Sequence, residues 1–162
     1  MATLQIDTNI ILDNIRKLNS FLGDYGIKWS IIMKVLGGNK TVLEKILNSP
    51  ELENIHSIGD SHLSSLKNIK QIRPDAVTIY IKPPAMDQIK NVISYADISL
   101  NTSMRTIEAL NEEAKRQNKK HKIIVMIELG ELREGVVRDN LIEFYEKVFT
   151  LSNIEIIGIG SN

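Results

Sequence analysis

The sequence predicts an α/β fold, a (β/α)8 TIM-type barrel of which the 162 residues contain about six of the eight strands. Short apolar segments alternate with amphipathic helical ones, which is typical of a parallel sheet with right-handed crossovers. Polar and glycine residues follow nearly every predicted strand, as they do at the carboxyl ends of barrel strands. An open doubly wound sheet is the alternative, but the chain has neither a GxGxxG nor a Walker loop to support it.

Apolar and polar residues alternate weakly over 3–7, which predicts a short strand. A helix is predicted to follow it, with Asp7 as its cap. Beyond the segment around residue 34, apolar runs predict strands over 55–59, 76–81, 97–100, 122–129 and 154–159. Helical spacing of apolar residues predicts helices over 63–72, 86–95 and 141–149, and a longer helix capped by Asn101, Thr102 and Ser103.

The stretch 29–36 is central to the functional interpretation, because it predicts a strand buried on both faces with Lys34 near its end. Burial disfavours a charged ammonium and leaves a nucleophilic neutral amine, which can form a Schiff base. Gly37 and Gly38 permit a tight turn, and Asn39 is the expected N-cap of a helix over 41–47. From spacing alone, a solvated strand end is the commoner interpretation of such a lysine.

Composition excludes several functional classes. The chain is 43% hydrophobic and 25% charged, as in ordinary globular proteins, and 20 basic against 20 acidic residues give no net charge to attract nucleic acid or an anionic membrane. Without cysteine there are no disulfides, thiolate metal ligands or thiol nucleophiles. No signal peptide or long apolar run is evident, so a cytoplasmic location is expected.

Other candidate residues carry weaker signals. Lys82 also ends a strand, but Pro83-Pro84 indicates a structural turn there. Asp60 and Ser61 are better explained as a helix cap than as ligand contacts. The three histidines, His56, His62 and His121, are scattered without carboxylates at ligand spacing, so no metal site is expected.

Four segments resemble a known family: 33–39 (MKVLGGN), 58–61 (IGDS), 127–135 (IELGELREG) and 158–162 (GIGSN). They are similar to the amino-terminal part of the fold-type III pyridoxal 5'-phosphate (PLP) enzymes of the alanine racemase type, and most similar to the alanine/ornithine racemases. This resemblance implies a PLP-dependent amino-acid racemase, an isomerase. The tyrosine-containing segment that follows the lysine in alanine racemases is missing, which favours ornithine or another basic amino acid as substrate.

The resemblance also implies roles for particular residues. Lys34 would form the internal aldimine with PLP and serve as one of two bases. Arg133 would face the phenolic oxygen of the cofactor, with Glu128 as its partner, although an ion pair to Glu131 or Glu134 is the simpler reading of the sequence. Asn162 stands where the family usually has a histidine under the pyridine ring.

The resemblance further implies that strands 7 and 8, the phosphate site, the second base and a carboxy-terminal β domain lie beyond residue 162. Residues 1–162 alone are therefore expected to be inactive and prone to aggregate, and the full-length enzyme to be a homodimer. Two alternatives remain open: a non-catalytic PLP-binding homeostasis protein on the same barrel, and a cofactor-free Schiff-base aldolase barrel.

Overall fold

The computed structural model describes residues 4–162, which form two compact units that divide after Val77. The strand predicted over 3–7 is wrong for residues 4–7, which are irregular, and Thr3 lies outside the described residues. No helix of the described chain is long and apolar enough to cross a membrane.

The first unit carries two parallel strands and three helices. Ile31 lies opposite Ile58 in the strand pair. Asp7 and Asn39 cap the helices as predicted: Asp7 Oδ1 accepts the Asn9 N–H at 2.9 Å, and Asn39 Oδ1 accepts the Val42 N–H at 3.2 Å. The elements are α1 (Thr8–Asp24), β1 (Ser30–Ile32), α2 (Lys40–Leu47), β2 (Ser57–Asp60) and α3 (Leu63–Ile72). Its fully buried apolar side chains come from the helices, namely Leu43, Ile46, Leu47, Leu66 and Ile69.

The second unit alternates strands and helices, and each of its strands pairs in parallel with the next one in the chain. The elements are β3 (Thr78–Tyr80), α4 (Ile89–Tyr95), β4 (Ile98–Asn101), α5 (Met104–Arg116), β5 (His121–Met126), α6 (Leu141–Phe149) and β6 (Ile154–Gly160). One core cluster joins strand, helix and loop residues, with Ile107, Ile123, Val125, Val136 and Val148 buried. This arrangement confirms the predicted βα alternation.

Three buried polar side chains of β4 and β5 are joined by hydrogen bonds within the second unit. His121 is 3% exposed, and its Nε2 lies 2.8 Å from Ser99 Oγ. Asn101 donates to the same Oγ at 2.8 Å. Asn101 therefore does not cap α5 as predicted; Ser103 occupies the N-cap position, without a side-chain hydrogen bond. Burial lowers the pKa of His121 to about 4, because a charged ring would lose its hydration.

Candidate active site

Lys34 lies two residues after the end of β1, as the first residue of a 3-10 turn over Lys34–Leu36. The strand predicted as far as residue 36 is therefore wrong, since β1 ends at Ile32. Burial is also not observed: Lys34 is exposed, and the next side chain, Val35, is 86% exposed. The residue consequently reaches solvent, where a ligand can approach its amine.

Two glycines shape the turn and bring its end against α3. Gly37 and Gly38 both have left-handed backbones, with φ of 57° and 70°. A Cβ on Gly38 would lie 2.7 Å from Ser65 Oγ. Asn68 of α3 donates to the Gly38 carbonyl at 3.1 Å. The backbone that follows Lys34 is therefore fixed by a helix, which limits where the lysine can point.

Replacing Gly38 with alanine is expected to destabilise the first unit by about 1–3 kcal/mol, because the change adds a left-handed alanine and a contact with Ser65. Gly23→Ala is the matched control. Gly23 lies in α1, where an added Cβ would meet open space, so this change should stabilise by about 0.5–1 kcal/mol. Urea unfolding followed by fluorescence of Trp29, the only tryptophan, measures both. Equal effects of the two substitutions would contradict the close approach.

The end of β2 lies beside the Lys34 turn, because the Met33 N–H donates to the Gly59 carbonyl at 2.8 Å. Asp60 is buried, and its Oδ1 accepts the backbone N–H of His62 at 2.8 Å and lies 3.3 Å from His62 Nδ1. Since His62 is the N-cap residue of α3, Asp60 shapes the entry to the helix rather than capping it directly. No motif in the sequence indicated this aspartate–histidine contact.

Arg133 lies in the loop 128–136 that follows β5. The backbone closes this loop: the Glu128 N–H donates to the Val136 carbonyl at 3.1 Å, and the Val136 N–H donates to the Met126 carbonyl at 2.7 Å. Arg133 Nε lies 3.4 Å from Glu134 Oε2, and the arginine side chain is 67% exposed. This ion pair is one of the two that the sequence alone favoured.

Glu128 has a different set of partners from the one expected. Its Oε1 accepts the backbone N–H groups of Gly130 at 2.6 Å and Leu132 at 3.0 Å. The predicted partnership of Glu128 with Arg133 therefore takes the form of contacts with the backbone of the loop that carries the arginine. Backbone hydrogen bonds, that of Leu132 first and that of Gly130 second, hold the pKa of the Glu128 carboxyl below its usual value.

Asn162 is exposed and lies two residues after the end of β6. The register places Met126 opposite Gly160, and the Ile127 N–H donates to the Gly160 carbonyl at 2.8 Å. The segments that carry Arg133 and Asn162 therefore leave neighbouring strands of the second unit. Lys82 is exposed just beyond β3. Across residues 4–162, no three His, Asp or Glu side chains are grouped to hold a metal ion.

The family model described as "Alanine racemase, N-terminal domain" matches residues 6–162. The chain belongs to this family. It is 34% identical to the ornithine racemase of Acetoanaerobium sticklandii over 160 residues, which are 98% of this chain and 44% of that protein. It is 23% identical to the lysine racemase of Thermotoga maritima over 159 residues, or 98% of this chain and 43% of the relative. The chain thus spans less than half the length of these relatives.

Solved structures show the same fold for this alanine racemase N-terminal domain. Alanine racemase from Streptomyces coelicolor superposes with a TM-score of 0.77 at 12% identity, covering 96% of this chain and 42% of that one. PipY of Synechococcus elongatus with PLP bound gives a TM-score of 0.74 at 12% identity, covering 91% and 70%. The predicted barrel of the alanine racemase type is therefore confirmed, and residues 4–162 contribute six of its strands.

Proposed function

We propose that this domain is the PLP-binding part of an amino-acid racemase that acts on ornithine or a similar basic amino acid. The observation that carries the proposal is the 34% identity to an ornithine racemase along nearly the whole chain. A second relative, the lysine racemase, also acts on a basic amino acid by its name. The same proposal includes a homodimeric enzyme, with the second base and the phosphate contacts outside residues 1–162.

The described residues fit such a cofactor. Lys34 offers an exposed primary amine on a fixed turn, which suits covalent binding of an aldehyde. Arg133 offers an exposed guanidinium, which keeps its charge and can donate to an anionic phenolic oxygen. Asn162 is exposed and carries a flat amide that can lie against an aromatic ring. We assign these three residues to PLP binding.

The proposed chemistry divides between cofactor and protein. PLP, when bound, draws electrons from the α-carbon of the amino acid and so acidifies its α-hydrogen. Lys34 takes that proton on one face of the α-carbon or returns it there, as a general base and acid. Asn68 donates a hydrogen bond to the Gly38 carbonyl, and this bond limits movement of the backbone near Lys34 during the transfer. Arg133 would hold the phenolic oxygen of PLP and supply a permanent positive charge there.

The test is a comparison of L-ornithine, L-lysine and L-alanine with the full-length protein that carries this domain, in deuterium oxide with PLP. We expect loss of optical activity together with deuterium at the α-carbon, fastest for ornithine or lysine. Binding of PLP without any α-deuterium would instead support a non-catalytic carrier. Borohydride trapping of a carbonyl substrate without PLP would support an aldolase. Either result would contradict the racemase proposal.

A further inference from the structure

The loop 128–136 contains backbone conformations that side-chain packing does not explain. Leu132 has a left-handed backbone with φ of 51°, although its side chain is 89% exposed and gains nothing from packing. Gly130 has φ of 115°. A left-handed backbone is sterically unfavourable for a residue other than glycine, so some interaction must offset that cost. Side-chain burial cannot do so here.

The Glu128 carboxylate provides that interaction. A single oxygen, Oε1, accepts the N–H groups of Gly130 and Leu132 at 2.6 and 3.0 Å. Hydrogen bonds to a charged acceptor are shorter and stronger than those between neutral groups. Both donors lie within four residues of Glu128, so the carboxylate holds the first half of the loop in its turned conformation.

The second half of the loop is fixed from the other side of Glu128. A Cβ on Gly135 would overlap the Glu128 nitrogen, so the two backbones are in direct contact. The Glu128 N–H also donates a hydrogen bond to the Val136 carbonyl, which joins the two ends of the loop. Arg133 directly follows Leu132, whose N–H is bound by Glu128, and precedes Gly135, whose backbone contacts Glu128. Its direction therefore depends on the backbone that the Glu128 side chain holds.

We propose that Glu128 is a positioning residue for Arg133, and that it acts through the loop amides rather than through contact with the guanidinium. The guanidinium has its own carboxylate partner in Glu134. Glu128 thus sets where the arginine backbone lies, and Glu134 acts on the side chain. The effect of Glu128 on PLP binding rests on the function proposed above. Its effect on the conformation of the loop does not depend on that function.

The first test needs no cofactor. Glu128→Gln preserves the shape of the side chain and removes its charge, and Glu131→Gln makes the same change at an exposed residue of the same loop. Amide hydrogen exchange by NMR should become about tenfold faster at Gly130 and Leu132 in Glu128→Gln, as expected when hydrogen bonds to a charged acceptor weaken. Glu131→Gln should leave both rates unchanged. Unchanged exchange in Glu128→Gln would overturn the inference.

The second test connects the loop to Arg133 through a double-mutant cycle on PLP affinity. Glu128→Gln should weaken PLP binding about tenfold when Arg133 is present, and less than about twofold in an Arg133→Ala background. Equal losses in the two backgrounds would overturn the positioning role, because Glu128 would then act independently of the arginine. A wild-type protein that takes up no PLP at Lys34 contradicts the proposed function instead, and the exchange rates then decide the inference alone.

Discussion

Replacing Lys34 with arginine should abolish the pyridoxyl-lysine that we expect PLP and borohydride to leave on the wild-type protein. Arginine keeps the positive charge but is not deprotonated in proteins, so it cannot condense with an aldehyde. In the racemase proposed above, racemisation should fall by at least about 10²–10⁴-fold, the contribution of a proton-transfer group alone. Peptide mapping by mass spectrometry after reduction locates the adduct.

Lys82→Arg is the matched control, because Lys82 is also exposed just after a strand. It should leave the adduct at position 34 unchanged. Labelling of Lys82 in the wild-type protein at the same level as Lys34 would contradict the assignment, as would an undiminished adduct in Lys34→Arg. The two variants together separate a specific amine from general labelling of surface lysines.

The stability of the second unit should fall by about 3 kcal/mol as the pH drops from 7 to 4, because of His121 alone. The pKa of His121 is about 4 in the folded chain and 6.5 ordinarily, and burial is the main cause. The unfolded chain therefore takes up its proton at a higher pH within this interval than the folded chain does. The contribution is complete above pH 6.5 and is lost as the pH falls toward 4.

His121→Gln removes this titration and retains a polar group beside Ser99. Urea unfolding at pH 7 and pH 4.5, followed by circular dichroism, should show a smaller acid loss in the variant than in wild type. Carboxyls with lowered pKa, such as Glu51, contribute equally to both proteins and cancel in the difference. His56→Gln, at an exposed histidine, should behave as wild type. A His121 ring that titrates near pH 6.5 by NMR would refute the argument.

The sequence was most informative where one periodic pattern continued to a clear end. Helix α6 has the predicted bounds, because its apolar spacing is followed by polar residues at 152 and 153. Around Lys34 the same method was wrong. The apolar run continues to Leu36, but the left-handed Gly37 and Gly38 require a turn, and the chain leaves the strand after Ile32. Apolar composition alone does not separate a buried strand from a short turn beside one.

Contacts between distant residues were beyond a single sequence. The hydrogen bond between His121 and Ser99 depends on the register of β4 and β5, which the local pattern of apolar residues does not specify. The Glu128 bonds to the loop amides depend on backbone angles at Gly130 and Leu132. The resemblance pointed to Lys34 and Arg133 by motif, but neither motif indicated that Glu128 contacts the backbone of its own loop.

Sequential parallel pairing also has a consequence for synthesis on the ribosome. Within each unit, every strand pairs with the strand that precedes or follows it in the chain. Among residues 4–162 these pairings join strands that are neighbours in the chain, so the loop-closure entropy of each of them stays small. The first unit can complete its own strand pair and helices once Val77 has left the exit tunnel. Translation order and folding order can therefore coincide, which shortens the time that unpaired strand edges are exposed.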